Sequence, residues 1–301
     1  METVLILMST YNGARYLGAQ IDSVLAQQGV RPELLVRDDG SADGTQALLE
    51  GYRAGGLLTW YQGENLRPCG SFLELLETCP RREYTAFCDQ DDYWYPDKLA
   101  AAVERLAALP DGEPGLYFCK KNIVDEELRP LGRPDTRVRV VSYGAALLNC
   151  VASGCTMVMN RAAVTLLRTY HPAHATMHDA WVYRVVNAFG TVVYDDVPRM
   201  DYRQHGGNEV GADKSFACRL WLGLGSLGQR RHMTYRSTNA KEMLRAFGDR
   251  LSPRDRRLTE LLAAAPDSFG SRVRLVFNRD LKAQSGKELF FIRIFILLGW
   301  I

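Results

Sequence analysis

The stretch Tyr84-Thr85-Ala86-Phe87-Cys88-Asp89-Gln90-Asp91-Asp92 passes from an apolar run into three carboxylates within four residues. A short apolar run of this kind reads as a strand covered on both faces. The pattern recurs upstream: Val4 to Ser9 leads into Thr10-Tyr11-Asn12, and Leu34 to Val36 into Arg37-Asp38-Asp39-Gly40. Helical stretches separate these runs. Leu17, Ile21, Val24 and Leu25 fall on one helical face. Thr45 to Tyr52 gives a second helix and Leu58 to Gln62 another strand. Ser71 is expected to be the N-cap of a helix through Leu76. Pro96 is expected in the first turn of a helix reaching about Leu109, with a strand at Leu116 to Cys119.

This alternation predicts an α/β fold, a mostly parallel sheet flanked by helices. In such sheets ligands bind beyond the carboxyl ends of the strands. Thr10, Tyr11, Asp38, Asp39, Asp89, Asp91 and Asp92 come from three strands and are expected to meet along one edge. The second half is less regular. It gives a strand at Cys155 to Asn160, helices at Arg161 to Tyr170 and Asp179 to Ala188, and an extended stretch at Thr191 to Asp195.

Side by side, Asp89, Asp91 and Asp92 repel unless a cation removes the conflict. Mg²⁺ or Mn²⁺ with oxygen ligands does so; a solvated acidic loop is the plainer reading. Asp38-Asp39-Gly40-Ser41-Ala42-Asp43-Gly44-Thr45 opens a helix after a tight turn, with Asp43 or Gly44 as cap. A carboxylate there suits a base or ribose, although Asp-Gly turns also occur without a ligand.

Bulk properties narrow the class. The chain is 47% hydrophobic and 24% charged, as a globular protein should be. Its seven cysteines form no CxxC pair, which points to reduced thiols of a cytosolic protein rather than a disulfide framework or a zinc site. The first apolar run is too short for a signal peptide. No GxGxxG follows it, which disfavours a dinucleotide oxidoreductase. Charge is divided: residues 1–213 hold 20 Lys/Arg against 28 Asp/Glu, and residues 214–301 hold 17 against 7. A basic tail implies an anionic partner, membrane phosphate or nucleic acid. The final Leu289 to Ile301 is almost wholly apolar but short of the roughly 20 residues that span a bilayer. It is expected to pack on the body, form a homodimer contact or lie in a membrane interface. With the basic run Lys214 to Arg257, it makes the two signals of peripheral membrane binding.

Taken together, these motifs resemble the family 2 glycosyltransferases. The residues that carry the likeness are Ser9-Thr10-Tyr11-Asn12, Asp38 to Thr45, Asp89 to Asp92, Pro96-Asp97-Lys98-Leu99, Ser153-Gly154-Cys155, His178-Asp179-Ala180-Trp181 and Tyr202-Arg203-Gln204-His205-Gly206-Gly207-Asn208. The later motifs are most similar to bacterial rhamnosyltransferases of surface polysaccharide synthesis. The resemblance implies a GT-A fold over residues 1–213, with a donor half of about 1–110 and an acceptor half of about 111–213, followed by a helical basic extension at 214–301. It implies an inverting transfer from a nucleotide-diphosphate sugar, dTDP-rhamnose, to a saccharide or lipid-linked saccharide. No nucleic acid is then expected, and the protein works in the cytoplasm, at the inner membrane face.

Site roles follow from the same resemblance. Thr10, Tyr11, Asn12 and Asp39 hold the nucleotide. Asp91 is the principal ligand of Mg²⁺ or Mn²⁺, with Asp89 on ribose or metal and Asp92 also within the metal's reach. Asp179 is the catalytic base, although Asp179 also suits a helix N-cap. His205 faces diphosphate or metal, or is a plain loop histidine. Trp94, Trp181 and His178 are acceptor-side candidates; the two tryptophans serve equally well as core. Arg67 stands where many members have glycine. Two rival functions remain, an aspartate-based phosphohydrolase and a non-catalytic nucleotide-sugar-binding module.

Overall fold

The structure is a computed structural model that describes residues 1–132, 135, 137–206 and 235–301. The chain packs as two units. The first comprises 1–136, 151–171 and 177–203; the second comprises 137–150, 172–176 and 204–301.

The first unit is built on one eight-stranded sheet, ordered β3-β2-β1-β4-β7-β6-β8-β5. The strands are β1 (Thr3–Thr10), β2 (Arg31–Asp38), β3 (Thr59–Gln62), β4 (Tyr84–Cys88), β5 (Tyr93–Trp94), β6 (Gly115–Val124), β7 (Met157–Asn160) and β8 (Thr191–Arg203). β1 pairs in parallel with both β2 and β4, and β2 with β3. β7 is antiparallel to β4 and β6, and β8 is parallel to β6. The chain therefore winds outward from β1 to β3 and returns on the other side at β4. That reversal falls between β1 and β4, and the carboxyl ends of strands at such a switch point are where open α/β sheets bind ligands.

The helices of this unit are α1 (Ala14–Leu25), α2 (Thr45–Ala54), α3 (Arg67–Thr78), α4 (Lys98–Ala107), α6 (Arg161–Leu167) and α7 (His178–Phe189), with α5 (Tyr143–Ala146) in the second unit. Strand alternation divides the core. Val4, Ile6, Met8, Val36 and Ala86 pack with Leu17, Ile21 and Val24 of α1 and with Leu99, Ala102 and Leu106 of α4. Phe87, adjacent to Ala86, turns the other way onto Phe72 of α3.

Three local expectations are corrected. Ser71 does not cap α3; the helix begins four residues earlier with Pro68 in its first turn, and Ser71 is buried inside it. Pro96 lies in a turn before α4, whose N-cap is Asp97. β8 runs on to Arg203, well beyond Asp195, because its later residues pair with Lys120 to Val124 after two register shifts. At Arg67 the backbone holds φ +59, the left-handed region that glycine fills most easily. The turn shape is kept although the residue is not glycine.

The described part of the second unit is helical: Tyr235–Phe247, Pro253–Ala264, Phe269–Val276 and Gly286–Leu298. Two segments from earlier in the chain belong to it. Tyr143 exchanges a hydrogen bond with Thr259 at 2.8 Å, and Arg236 donates to the Leu148 carbonyl at 2.8 Å. The expected boundary at residue 213 lies outside the described residues. No helix among the described residues is long and apolar enough to cross a membrane.

Candidate active site

Gln90 ties the ends of β1 and β4 together. Its Oε1 accepts from Thr10 Oγ1 at 2.6 Å and from the Tyr11 amide at 2.9 Å. Tyr11 is half exposed, while Thr10 is buried. Asn12 links two loops: its amide donates to Ser41 Oγ at 2.8 Å, and its Oδ1 accepts from the Ala42 amide at 2.9 Å.

The two aspartates after β2 divide their work. Asp38 is fully buried and accepts from the Ser41 amide at 3.0 Å and Gln46 Nε2 at 2.8 Å, so it shapes the turn. Asp39 accepts from the Arg37 guanidinium on one oxygen and from Ser71 Oγ on the other. Burial pushes the Asp39 carboxyl up, and Ser71 and Arg37 pull against it. Two donors on two oxygens are what an ionised carboxylate requires. Arg37, buried, is itself fixed by Glu74 at 3.0 Å and by the Glu64 carbonyl at 2.9 Å.

Beyond β4 the acid cluster is dense. Asp89, Asp92 and Cys155 offer ligand atoms within 4.8 Å of one another. Burial, then the charges of Asp91 and Asp179, push Asp89 up to about 7. Burial and its neighbours Asp91 and Asp89 raise Asp92 well above the carboxylate range. Lys121 is the cation that opposes both shifts. Asp92 Oδ1 accepts from the Arg203 amide at 3.2 Å, and its buried Oδ2 has no hydrogen-bond partner. An orphaned carboxylate oxygen amid acids fits a hard divalent cation. Burial raises the Cys155 thiol well above its ordinary value, and a hard cation prefers the carboxylate oxygens to its sulfur. Asp91 is half-buried, and Arg203 Nε holds its carbonyl at 2.7 Å.

Asp179 sits in the first turn of α7. Its Oδ2 accepts from the Gly154 amide at 3.2 Å and its Oδ1 from the Ala180 amide at 2.6 Å. Gly154, whose amide holds Asp179, directly precedes Cys155, which clusters with Asp89 and Asp92, so Asp179 lies beside the acid cluster, and its charge adds to the upward push on Asp89. His205 lies two residues past the end of β8, in the second unit.

The acceptor-side candidates are corrected by burial. Trp94 and Trp181 are each 1% exposed and present no face on which a sugar could stack. Trp94 carries the Lys98 ammonium 3.1 Å from its ring centroid. His178, 3% exposed, stacks on Phe72 at 4.2 Å between centroids and meets Phe87 edge-on. Burial lowers its pKa, so the imidazole is neutral.

Two lysines have roles that their sequence positions did not show. Lys98 is fully buried, with Nζ donating to the Cys155 carbonyl at 2.5 Å. Its place on the Lys98/Ala102/Leu106 stripe of α4 was the available signal. Lys121 holds Ser153 Oγ at 2.6 Å. Two lysines thus clamp the turn whose Gly154 amide meets Asp179.

Gly154 has no room for a side chain. A Cβ there would lie 2.5 Å from His178 Nε2, on a ring pinned by two phenylalanines. Gly154→Ala is expected to destabilise the protein by about 1–3 kcal/mol, the usual cost of overpacking. Adding His178→Ala should recover part of the loss, since the two changes share one space. A thermal melt of the single variant that matches wild type would contradict this packing.

Comparisons with known proteins agree with this geometry. Residues 5–138 match the Glycosyl transferase family 2 description. An uncharacterized glycosyltransferase of Rickettsia typhi is 30% identical over 161 residues, 52% of this chain and 49% of that protein. The chain thus spans about half the length of this relative. The dTDP-rhamnosyl transferase RfbG of Shigella flexneri is 25% identical over 239 residues, 69% of this chain and 75% of that one. Among solved structures, S. aureus TarS 1–349 in complex with UDP-GlcNAc superposes with TM-score 0.63 at 16% identity, over 99% of this chain and 88% of that one. The sheet that reverses between β1 and β4 and gathers its aspartates at the reversal lies in the part of the chain that matches the Glycosyl transferase family 2 description, and the fold is that of the GT-A glycosyltransferase structures it superposes on.

Proposed function

We propose that the protein is an inverting, metal-dependent transferase that moves rhamnose from dTDP-rhamnose to a saccharide or lipid-linked saccharide acceptor, at the inner face of the membrane, in surface polysaccharide synthesis. The observation that carries the proposal is the Asp179 carboxylate, held by two backbone amides beside the acid cluster. The name of the Shigella relative supports the sugar and the thymidine nucleotide.

In this reading Thr10, Tyr11 and Asp39 hold base and ribose, with Asn12 shaping their loop. Asp39 accepts the imide N–H of the pyrimidine, and Arg37 and Ser71 keep its carboxylate aimed. Asp91, Asp89 and Asp92 hold Mg²⁺ or Mn²⁺, which supplies positive charge for the diphosphate when bound. Asp179 takes the proton from the acceptor hydroxyl. The acceptor oxygen then attacks the anomeric carbon from the face opposite the diphosphate. The bond from that carbon to the phosphate oxygen breaks, and its electron pair leaves with the nucleotide diphosphate. One displacement inverts the anomeric centre without a covalent enzyme intermediate.

The donor is tested by calorimetry across a panel of nucleotide diphosphates and their sugars with Mn²⁺ present. Thymidine or uridine diphosphate should bind more tightly than guanosine or adenosine diphosphate, and Asp39→Ala should erase that preference. Tighter binding of a purine nucleotide would overturn the assignment.

A further inference from the structure

The helix Gly286–Leu298 is mostly apolar, with Lys287, Glu288 and Arg293 as its charged residues, but covers core with only one side. Ile292 and Ile296 are its fully buried residues, and Ile301 beyond it is buried too. At 100° per residue, Lys287, Phe290, Ile294, Leu297 and Leu298 occupy the opposite face. Phe290 is 61% exposed, Leu298 50% and Leu297 41%. The helix is firmly seated: the Ser237 hydroxyl donates to the Ile301 carbonyl at 3.0 Å, and Gly299 closes the helix in the left-handed conformation. Phe269 and Phe277, at the two ends of the preceding helix, are also exposed.

Charge around these residues is mostly positive. Within residues 268–301, Arg274, Arg279, Lys282 and Lys287 are exposed and no carboxylate is; Asp267, just before, is exposed and lies 3.9 Å from the Lys241 ammonium. Asp280 is taken by Arg254, and Glu288 accepts from Asn149 and the Gln284 amide. The sequence had placed the attracting charge in Lys214 to Arg257. In the described part of that run, however, Arg245, Arg254 and Arg256 are each paired with a carboxylate.

We infer that the outward face of helix Gly286–Leu298 docks in the plane of an anionic lipid surface, its apolar residues entering the interface and Lys287, Arg274, Arg279 and Lys282 meeting lipid phosphate. An apolar helix face that carries a lysine, in a stretch whose other exposed charges are cations, has the composition of an interfacial helix. A second copy fits less well, because a two-fold contact would bring Lys287 and its basic neighbours against their own counterparts. Residues 207–234 of the same chain meet a similar objection, since Lys214, Arg219, Arg230 and Arg231 outnumber Glu209 and Asp213. The inference draws its purpose from the proposed lipid-linked acceptor. Vesicle binding is measured with neither donor nor acceptor, so either reading can fail alone.

The test is flotation of the intact chain with phosphatidylcholine vesicles, with and without phosphatidylglycerol, at low and high salt. Point substitutions replace truncation, because removing residues 289–301 would strip Ile292, Ile296 and Ile301 from the core. Wild type should float with the anionic vesicles, less at high salt. Phe290→Ser with Leu297→Ser should weaken binding by about tenfold or more at either salt while the melting temperature holds. Lys287→Glu with Arg274→Glu should remove most of the salt-sensitive part. Failure of wild type to float, or equal flotation of all variants, would overturn the inference. So would a dimer that Phe290→Glu dissociates, or a sharp loss of stability in that variant, which would show the face covered by protein.

Discussion

Stripping divalent cations with EDTA is expected to abolish sugar transfer and donor hydrolysis, and Mg²⁺ or Mn²⁺ to restore both. The reason lies in how much negative charge the fold brings together. Asp89, Asp91 and Asp92 leave β4 within four residues, and Asp179 is near enough to raise Asp89. Like charges at about 4 Å oppose one another by about 4 kcal/mol even when partly screened. Lys121 alone does not cancel that: Asp89 is still pushed up to about 7, and Asp92 well above its ordinary value. Burial and mutual repulsion thus work against the charged forms of Asp89 and Asp92 when no metal is bound. A diphosphate brought to such a site would meet carboxylates rather than positive charge. Because the cation binds the deprotonated form, its binding should release protons near pH 7 and tighten as pH rises. Titrating Mn²⁺ into the protein in two buffers of different ionisation heat measures that release directly. Asp91→Ala that transfers sugar at full rate in EDTA would end the metal reading.

How far the sequence could be read depended on whether a residue's role was local. β1, β2 and β4 were legible because each is an apolar run ending in a polar cluster, and the site lies at those endings. Ser71 was misread because a serine before Phe-Leu-Glu looks like a cap; its partner, Asp39, is 32 residues away. The far half of β8 was hidden by Asp195, Asp196 and Pro198, which break the alternating pattern. Asp195 is tolerated there because Tyr117 and Arg199 bind it. Trp94 and Trp181 could be sugar platforms or core, since tryptophan composition is the same in both; burial decides for core. The joining of residues 137–150 to the C-terminal helices rests on contacts more than 80 residues apart, such as Arg236 to Leu148. No local pattern encodes contacts of that kind.

The second large effect is expected at Asp179. Replacing it by asparagine should lower the transfer rate by about 100- to 10,000-fold, the usual worth of general base catalysis, with donor affinity retained. The competing explanation is structural. Asp179 occupies the first turn of α7, where a carboxylate satisfies free amides and the helix dipole whatever the chemistry. Both of its oxygens are in use, on the Gly154 and Ala180 amides. Asparagine has one accepting oxygen, so its NH₂ must face one of those two N–H donors. That mismatch costs about 1–3 kcal/mol of stability whether or not Asp179 is the base. A fall in rate alone therefore decides nothing, and the variant must be followed by three readings: melting temperature, donor Kd and turnover at saturating donor. A purely structural aspartate predicts a lower melting temperature with turnover recovering once the sample is fully folded, for example at reduced temperature. A base predicts that turnover stays low in protein that is folded and binds donor normally. Asp179→Ser sharpens the contrast: position 179 lies inside the first turn, after the N-cap Met177, where a serine hydroxyl can still accept from a free amide but has no basicity at neutral pH. It should restore part of the stability and none of the rate. If Asp179→Ser turned over like wild type, the proton would have to go to another group, and the assignment of Asp179 would fall.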